Sequence, residues 1–201
     1  MFDRHLRPLI DPPLNAAARL LVTGGVHANA ISLAGAAVGV AAGLALAGGH
    51  FGAGLALILL NRILDGLDGP VARQTAATDF GGYLDVVCDY VFYVAVPLGF
   101  AAAAPQNLWP ALVLVASFVL TAVSFLSLAA LAAKRGLTTE AQGKKSFYYA
   151  AGLAEGGETI VAFIAFCLWP QWFGPIAYAF AALCLVTVAG RLAAARAFLA
   201  D

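Results

Sequence analysis

Eleven acidic residues are spread over 201 positions, yet Asp65, Asp68, Asp85 and Asp89 crowd into one short stretch of otherwise apolar sequence. Asp65 and Asp68 are three apart and Asp85 and Asp89 four apart, and on a helix either spacing puts both carboxylates on one face. The connection between the two stretches, Gln74–Phe80, is short and carries a further acid, Asp79. It makes the two helices antiparallel neighbours, so the four carboxylates converge at one depth. Bare, they would repel one another and stay partly protonated. Hard divalent cations relieve that repulsion, since all-oxygen carboxylate sites suit Mg²⁺ or Mn²⁺. Two ions sharing carboxylates form a clamp for phosphoryl transfer. The other chemistry served by intramembrane acids is a proton or cation relay in a transporter.

The residues between the acid pairs bear on that choice. Gly69 follows the first pair, with Ala72 three residues on and then Arg73; Gly81 opens the second helix opposite them. Small side chains here leave a slot beside the ions for a flat base or a diphosphate. Arg73 suits a phosphate oxygen through its planar donor fork. A relay needs neither slot nor arginine. A relay protein would also spread its acids through the bundle depth and break spans in both halves.

The elements that must position these groups are membrane helices. The chain is 62% hydrophobic and only 11% charged, with a mean hydropathy of +0.88, whereas a soluble domain runs near ~45–50% apolar and ~25% charged. That excludes an ordinary cytosolic globule, a disordered chain and a nucleic-acid binder with a basic face. A span needs about 20 mostly apolar residues, and six runs qualify: Ala30–Ala47, Phe51–Arg73, Gly81–Ala103, Leu108–Ala133, Phe147–Trp169 and Trp172–Leu199. Breakers stand at the joints: Gly48 with Gly49, Pro105, Gly136 and Pro170. Abundant Ala and Gly let the helix backbones approach closely. The expected fold is an all-α integral membrane protein, one domain over residues 1–201. Its six transmembrane helices occupy 30–199, behind an amphipathic juxtamembrane segment over 1–28 that lies on the membrane surface as a helix.

That first segment mixes charges and prolines and has no uninterrupted apolar run of the signal-peptide kind. The plainer alternative for it is a loosely ordered tail. Cys88, Cys167 and Cys184 lack metal-ligand spacing and read as small packing residues. Lys and Arg set the orientation. Arg4, Arg7, Arg19, Arg73, Lys134, Arg135, Lys144, Lys145, Arg191 and Arg196 fall on the side of the two termini, Arg62 lies within the second span near that end, and the opposite connections hold none. Termini and acids are therefore expected on the cytoplasmic side, with Trp109, Trp169 and Trp172 as a belt at the other interface.

The acid stretch resembles the signature of the CDP-alcohol phosphatidyltransferases, D-x2-D-G-x2-A-R, seven or eight residues, then G-x3-D-x3-D. Asp65, Asp68, Gly69, Ala72, Arg73, Gly81, Asp85 and Asp89 fill every fixed position. The likeness extends to the six-span layout, and is nearest to a bacterial branch that shares the N-terminal segment and the stretch Lys145–Thr159. It implies a multi-pass enzyme of the bacterial inner (cytoplasmic) membrane, with its active site on the cytoplasmic side. The enzyme would move a phosphatidyl group from CDP-diacylglycerol to a small alcohol and release CMP in phospholipid biosynthesis. By that resemblance Asp65, Asp68 and Asp85 hold one Mg²⁺ or Mn²⁺, and Asp65, Asp85 and Asp89 a second. Asp89 is also the general base. A homodimer among membrane lipids is implied too. The donor site adds Asn29, Ser32, Gly69, Ala72, Arg73, Thr78 and Gly81; the proline usual before Asn29 is missing, and Asn29 and Ser32 also read as caps of the first span. The two other readings are a cation transporter and another diphosphate-using membrane metal enzyme such as a prenyl transferase.

For the acceptor, Glu155 and Glu158 share a helix face, with Lys145 and Arg191 at hand. They serve either to bind acceptor hydroxyls or to bridge to Arg62, Arg191 or Lys145. Relatives that use phosphorylated acceptors carry arginines where Gly156 and Thr159 stand here, which favours a neutral or zwitterionic alcohol. Lys134, Arg135, Lys144, Lys145 and Arg191 keep glycerol 3-phosphate open.

Overall fold

The computed structural model describes residues 3–136, 154 and 156–199, and these are mostly helical with no strand among them. The juxtamembrane segment is a helix, α1 (Asp3–Thr23), not a loose tail. Leu14, Ala17, Ala18 and Leu21 on α1 pack with Ile31, Leu67 and Val71, so its apolar stripe is seated on the acid-bearing part of the bundle. Six further helices follow among the described residues: α2 (Ala28–Ala47), α3 (Phe51–Gln74), α4 (Asp79–Ala103), α5 (Leu108–Lys134), α6 (Gly156–Leu168) and α7 (Phe173–Leu199).

The breakers act where the sequence puts them. Gly49 and Gly136 take left-handed φ values of 75° and 66° just past α2 and α5, the conformation glycine adopts without a Cβ penalty. Pro105 and Pro170 each open a single 3₁₀ turn. Four segments are long and apolar enough to cross a membrane: α2, α4, α5 with its preceding turn, and α7 up to Arg196. The six spans expected from sequence are thus met by composition in four cases. Helix α3 has 24 residues, a length of about 36 Å at ~1.5 Å per residue, but its second half carries the charges. Helix α6 is described over 13 residues, and the first part of the expected fifth span lies outside the described residues.

Helix α2 packs extensively on both α3 and α4, whereas α3 and α4 touch each other only sparingly. They are neighbours along the chain, but α2 lies across both. The reason is the small-residue face of α2. A Cβ at Gly43 would sit 2.6 Å from the Ala95 carbonyl oxygen, and one at Gly99 would run into the Gly43 carbonyl. Backbones meet there directly, as small residues allow in membranes.

At the end of the bundle away from the acids, Phe100 stacks on Phe51 at 5.6 Å and on Phe173 at 4.6 Å, and Phe166 meets both Phe100 and Phe173 edge-on. Phe100, Phe166 and Phe173 are fully buried. Trp109, Trp169 and Trp172 stand exposed around this end. Cys88, Cys167 and Cys184 are free and buried, as packing residues should be.

Candidate active site

The site is the gap that α2 holds between α3 and α4. Its start is set by Thr78, the N-cap of α4, whose Oγ1 accepts from the Gly81 N–H at 3.0 Å; such a cap contributes about 1 kcal/mol. Starting α4 there puts Asp85 and Asp89 in its second and third turns. Helix α3 continues through Pro70 to Gln74, so Asp65 and Asp68 lie in its last turns and face the same gap.

The resulting cleft is narrow, with Ser32, Gly35 and Ala36 of α2 as its floor and all four aspartates on its walls. Asp68 is the deepest of them, 6% exposed, and its Oδ2 accepts from the Ser32 hydroxyl at 2.7 Å. Burying a carboxylate is costly without such a partner. Beside it Asn61 is fully enclosed and donates its amide to the Gly35 carbonyl at 2.8 Å. That bond ties the floor to one wall.

Carboxylate oxygens of Asp65, Asp68 and Asp85 lie within 4.8 Å of one another. Opposite ligands of an octahedral Mg²⁺ stand about 4.2 Å apart, at ~2.1 Å from the ion. Three oxygens from two helices, close to that separation and with no nitrogen or sulfur donor among them, fit a hard divalent cation.

Asp89 lines the same cleft but is not one of the three. Its Oδ1 accepts from Arg62 Nη2 at 3.1 Å, and Arg62 Nη1 lies 3.3 Å from Asp65 Oδ2. Arg62 is the residue that reading the sequence misses. It enters there as a span-end charge and a partner for Glu155 and Glu158, yet among its described partners are Asp65, Asp89 and Asn61. The signal was its i,i+3 spacing to Asp65. Asn61 gave no signal at all.

The donor-side residues gather at the mouth. Ser32 holds Asp68, and neither it nor Asn29 caps α2, because the N-cap is His27 with no side-chain bond. A Cβ at Gly81 would come within 3.1 Å of both Asn29 Oδ1 and Thr78 Oγ1, so Asn29, Thr78 and the α4 backbone meet where glycine leaves room. A Cβ at Gly69 would meet only the Nη1 end of Arg73 within 4 Å. Gly69 is therefore open, and Ala72 beside it is half-buried while Arg73 is exposed.

The acceptor-side residues are brought together only in part. Glu158 lies half-buried in the first turn of α6, and a Cβ at neighbouring Gly156 would stand 3.6 Å from the Tyr93 hydroxyl. Arg191 is buried between α5 and α7, where it donates to the Thr121 carbonyl at 3.0 Å and approaches the Ser124 hydroxyl at 3.4 Å. Lys144, Lys145 and Glu155 lie outside the described residues.

Two crystal structures of the Mycobacterium tuberculosis phosphatidylinositol phosphate synthase PgsA1 share this architecture. The one with CDP-DAG bound matches with a TM-score of 0.67 and 24% identity, over 91% of this chain and 93% of that one. The one in complex with manganese and citrate matches with a TM-score of 0.71 and 22% identity, over 90% and 88%. At such identity the likeness is one of fold. Sequence similarity is higher to the inner membrane protein YnjF of Escherichia coli strain K12, 47% identical over 193 residues, which covers 96% of this chain and 94% of that protein. The family model for CDP-alcohol phosphatidyltransferase matches residues 25–190, a range that contains the whole cleft. With its cleft inside that match, this chain belongs to the CDP-alcohol phosphatidyltransferase family.

Proposed function

We propose that the protein transfers a phosphatidyl group from CDP-diacylglycerol to a small alcohol and releases CMP. The observation that carries this reading is the convergence of Asp65, Asp68 and Asp85 oxygens within 4.8 Å beside an open Gly69. A hard-cation site thus adjoins a position that glycine leaves clear for a diphosphate. Neither a cation relay nor a prenyl transferase needs the D-G-x2-A-R pattern that frames this position.

In this reading Asp65, Asp68 and Asp85 hold the first Mg²⁺ or Mn²⁺, and Asp65, Asp85 and Asp89 a second. Bound there, such ions neutralise the diphosphate and so favour departure of CMP. Ser32 fixes the Asp68 carboxylate, so that ligand is oriented before the donor binds. Gly69 and Ala72 leave the space for the nucleotide, Arg73 meets a phosphate oxygen at the mouth, and Asn29, Thr78 and Gly81 bound the opposite rim. Asp89 accepts the proton of the attacking hydroxyl, because an alcohol is a weak nucleophile without a base in reach.

The acceptor is a neutral or zwitterionic alcohol. Gly156 and buried Thr159 offer no cation for a phosphate there, and Glu158 bonds acceptor hydroxyls. The one-sided distribution of Lys and Arg supports a site that opens to the cytoplasm. The name of the Escherichia coli relative supports an inner-membrane location. The test is to incubate purified protein with CDP-diacylglycerol, Mg²⁺ and a panel of alcohols, following CMP release and the lipid product by mass spectrometry. CMP release that depends on one alcohol identifies the acceptor; no release with any member refutes the reading.

A further inference from the structure

Arg62 has no task in the transfer as just described, yet it sits inside the cleft on an otherwise apolar stretch of α3. Its position is over-determined. Asn61 Oδ1 accepts from its Nε at 2.8 Å and from its Nη2 at 2.5 Å, and Asn61 is itself pinned to the Gly35 carbonyl. The Phe92 ring lies against the guanidinium, 4.4 Å from its central carbon to the ring centroid, a cation–π contact. Held from behind and beneath, the guanidinium presents Nη1 to Asp65 and Nη2 to Asp89.

Those two carboxylates belong to different helices, and both are needed by a second divalent ion. We propose that in the donor-free protein Arg62 is the second cation of this site: it holds Asp65 and Asp89 together and keeps Asp89 out of the ion shell, so that one divalent ion binds tightly and a second joins only with a nucleotide diphosphate. Charge balance leads the same way. Four ionised aspartates carry four negative charges, and one divalent ion with Arg62 leaves one of them uncompensated. A second ion would leave a net positive charge in apolar surroundings, which is unfavourable. A diphosphate adds two negative charges and removes that excess. The second ion's ligands and the identity of the diphosphate rest on the proposed function; the ion count of the donor-free chain does not.

The experiment is Mn²⁺ titration of the purified full-length protein, with free ion read by electron paramagnetic resonance, in the absence and presence of CDP. Wild type should take one tight ion alone and two with bound CDP. Arg62→Gln should take two without CDP, and adding Asp89→Asn to it should restore one. Asp89→Asn alone should still take one ion without CDP and gain no second ion with it, because the second ion needs that carboxylate. The proposal is overturned by two tight ions in donor-free wild type, by a single ion once CDP is bound, by one ion in folded Arg62→Gln, or by two ions in CDP-bound Asp89→Asn. Should Arg62→Gln not fold, the wild-type and Asp89→Asn titrations still decide. Loss of CMP release in wild type with the expected ion counts would sink the functional reading and leave this one standing.

Discussion

Helices α2, α3 and α4 each run between two ends built from opposite materials. At one end Phe51 of α3 and Phe100 of α4 stack with Phe173, and the α2 and α4 backbones touch through Gly43 and Gly99. At the other end the same α3 and α4 carry Asp65, Asp68, Asp85 and Asp89 across a narrow cleft. Close packing at the aromatic end is stabilising through many small dispersion contacts. Crowded like charges at the acid end are not. The helices are clamped at one end so that they can stand apart at the other, and the two ends should respond to mutation in different observables.

The sharpest break falls at the acid end. Asp65→Ala and Asp85→Ala should each lose tight Mn²⁺ and lower CMP release by roughly 10³-fold or more, and in Asp85→Ala the metal-free melting temperature should be unchanged or higher because a like charge is gone. Wild-type ion stoichiometry in either would contradict a shared acid site. Next comes Asp89→Asn, expected to cost about 10²–10⁴-fold in turnover, the range for a general base, while CDP-lipid binding persists. Normal turnover would remove the base assignment. At the aromatic end the readout should reverse. Phe100→Ala should cost about 3–5 kcal/mol of stability in detergent and leave activity per folded molecule intact; an active-site defect at full stability would mean the two ends are not separable. The smallest effect sharpens the comparison. Gly69→Leu should weaken CDP binding by about tenfold at unchanged stability, since only the flexible Arg73 would have to move. A melting temperature lowered by overpacking, with binding retained in calorimetry, would instead group Gly69 with Gly43 and Gly99 as a packing residue.

Much of this fold is legible in the amino-acid sequence alone. The helix ends follow from Gly49, Gly136, Pro105 and Pro170, because a left-handed residue or a missing N–H stops a helix whatever surrounds it. The facing of the acid pairs follows from their spacing alone. Three features are not legible there, and each depends on a third partner. The intervening position of α2 between α3 and α4 needs the glycine contacts that seat it. The depth of Asp68 needs the Ser32 hydroxyl from a helix 36 residues away. The grip of Arg62 on Asp89 needs Asn61 and Phe92 to aim it. Thr78 shows the converse: a hydroxyl expected at the donor is already engaged as a helix cap.

The contact between α2 and α4 has a consequence for how such a molecule can change over generations. Where two backbones touch, the spacing of the helices is set by covalent geometry and not by side-chain volume. Asn29 and Ser32 on one jaw, and Gly81 to Asp89 on the other, therefore stand at a gauge that ordinary drift along the seam cannot reset. A larger residue at Gly43 or Gly99 collides with backbone, and no residue is smaller than glycine. Freedom to accept a different alcohol is left to α5, α6 and α7. There the contacts pass through side chains such as Ser124 and Arg191, which can be exchanged one at a time without moving the jaw.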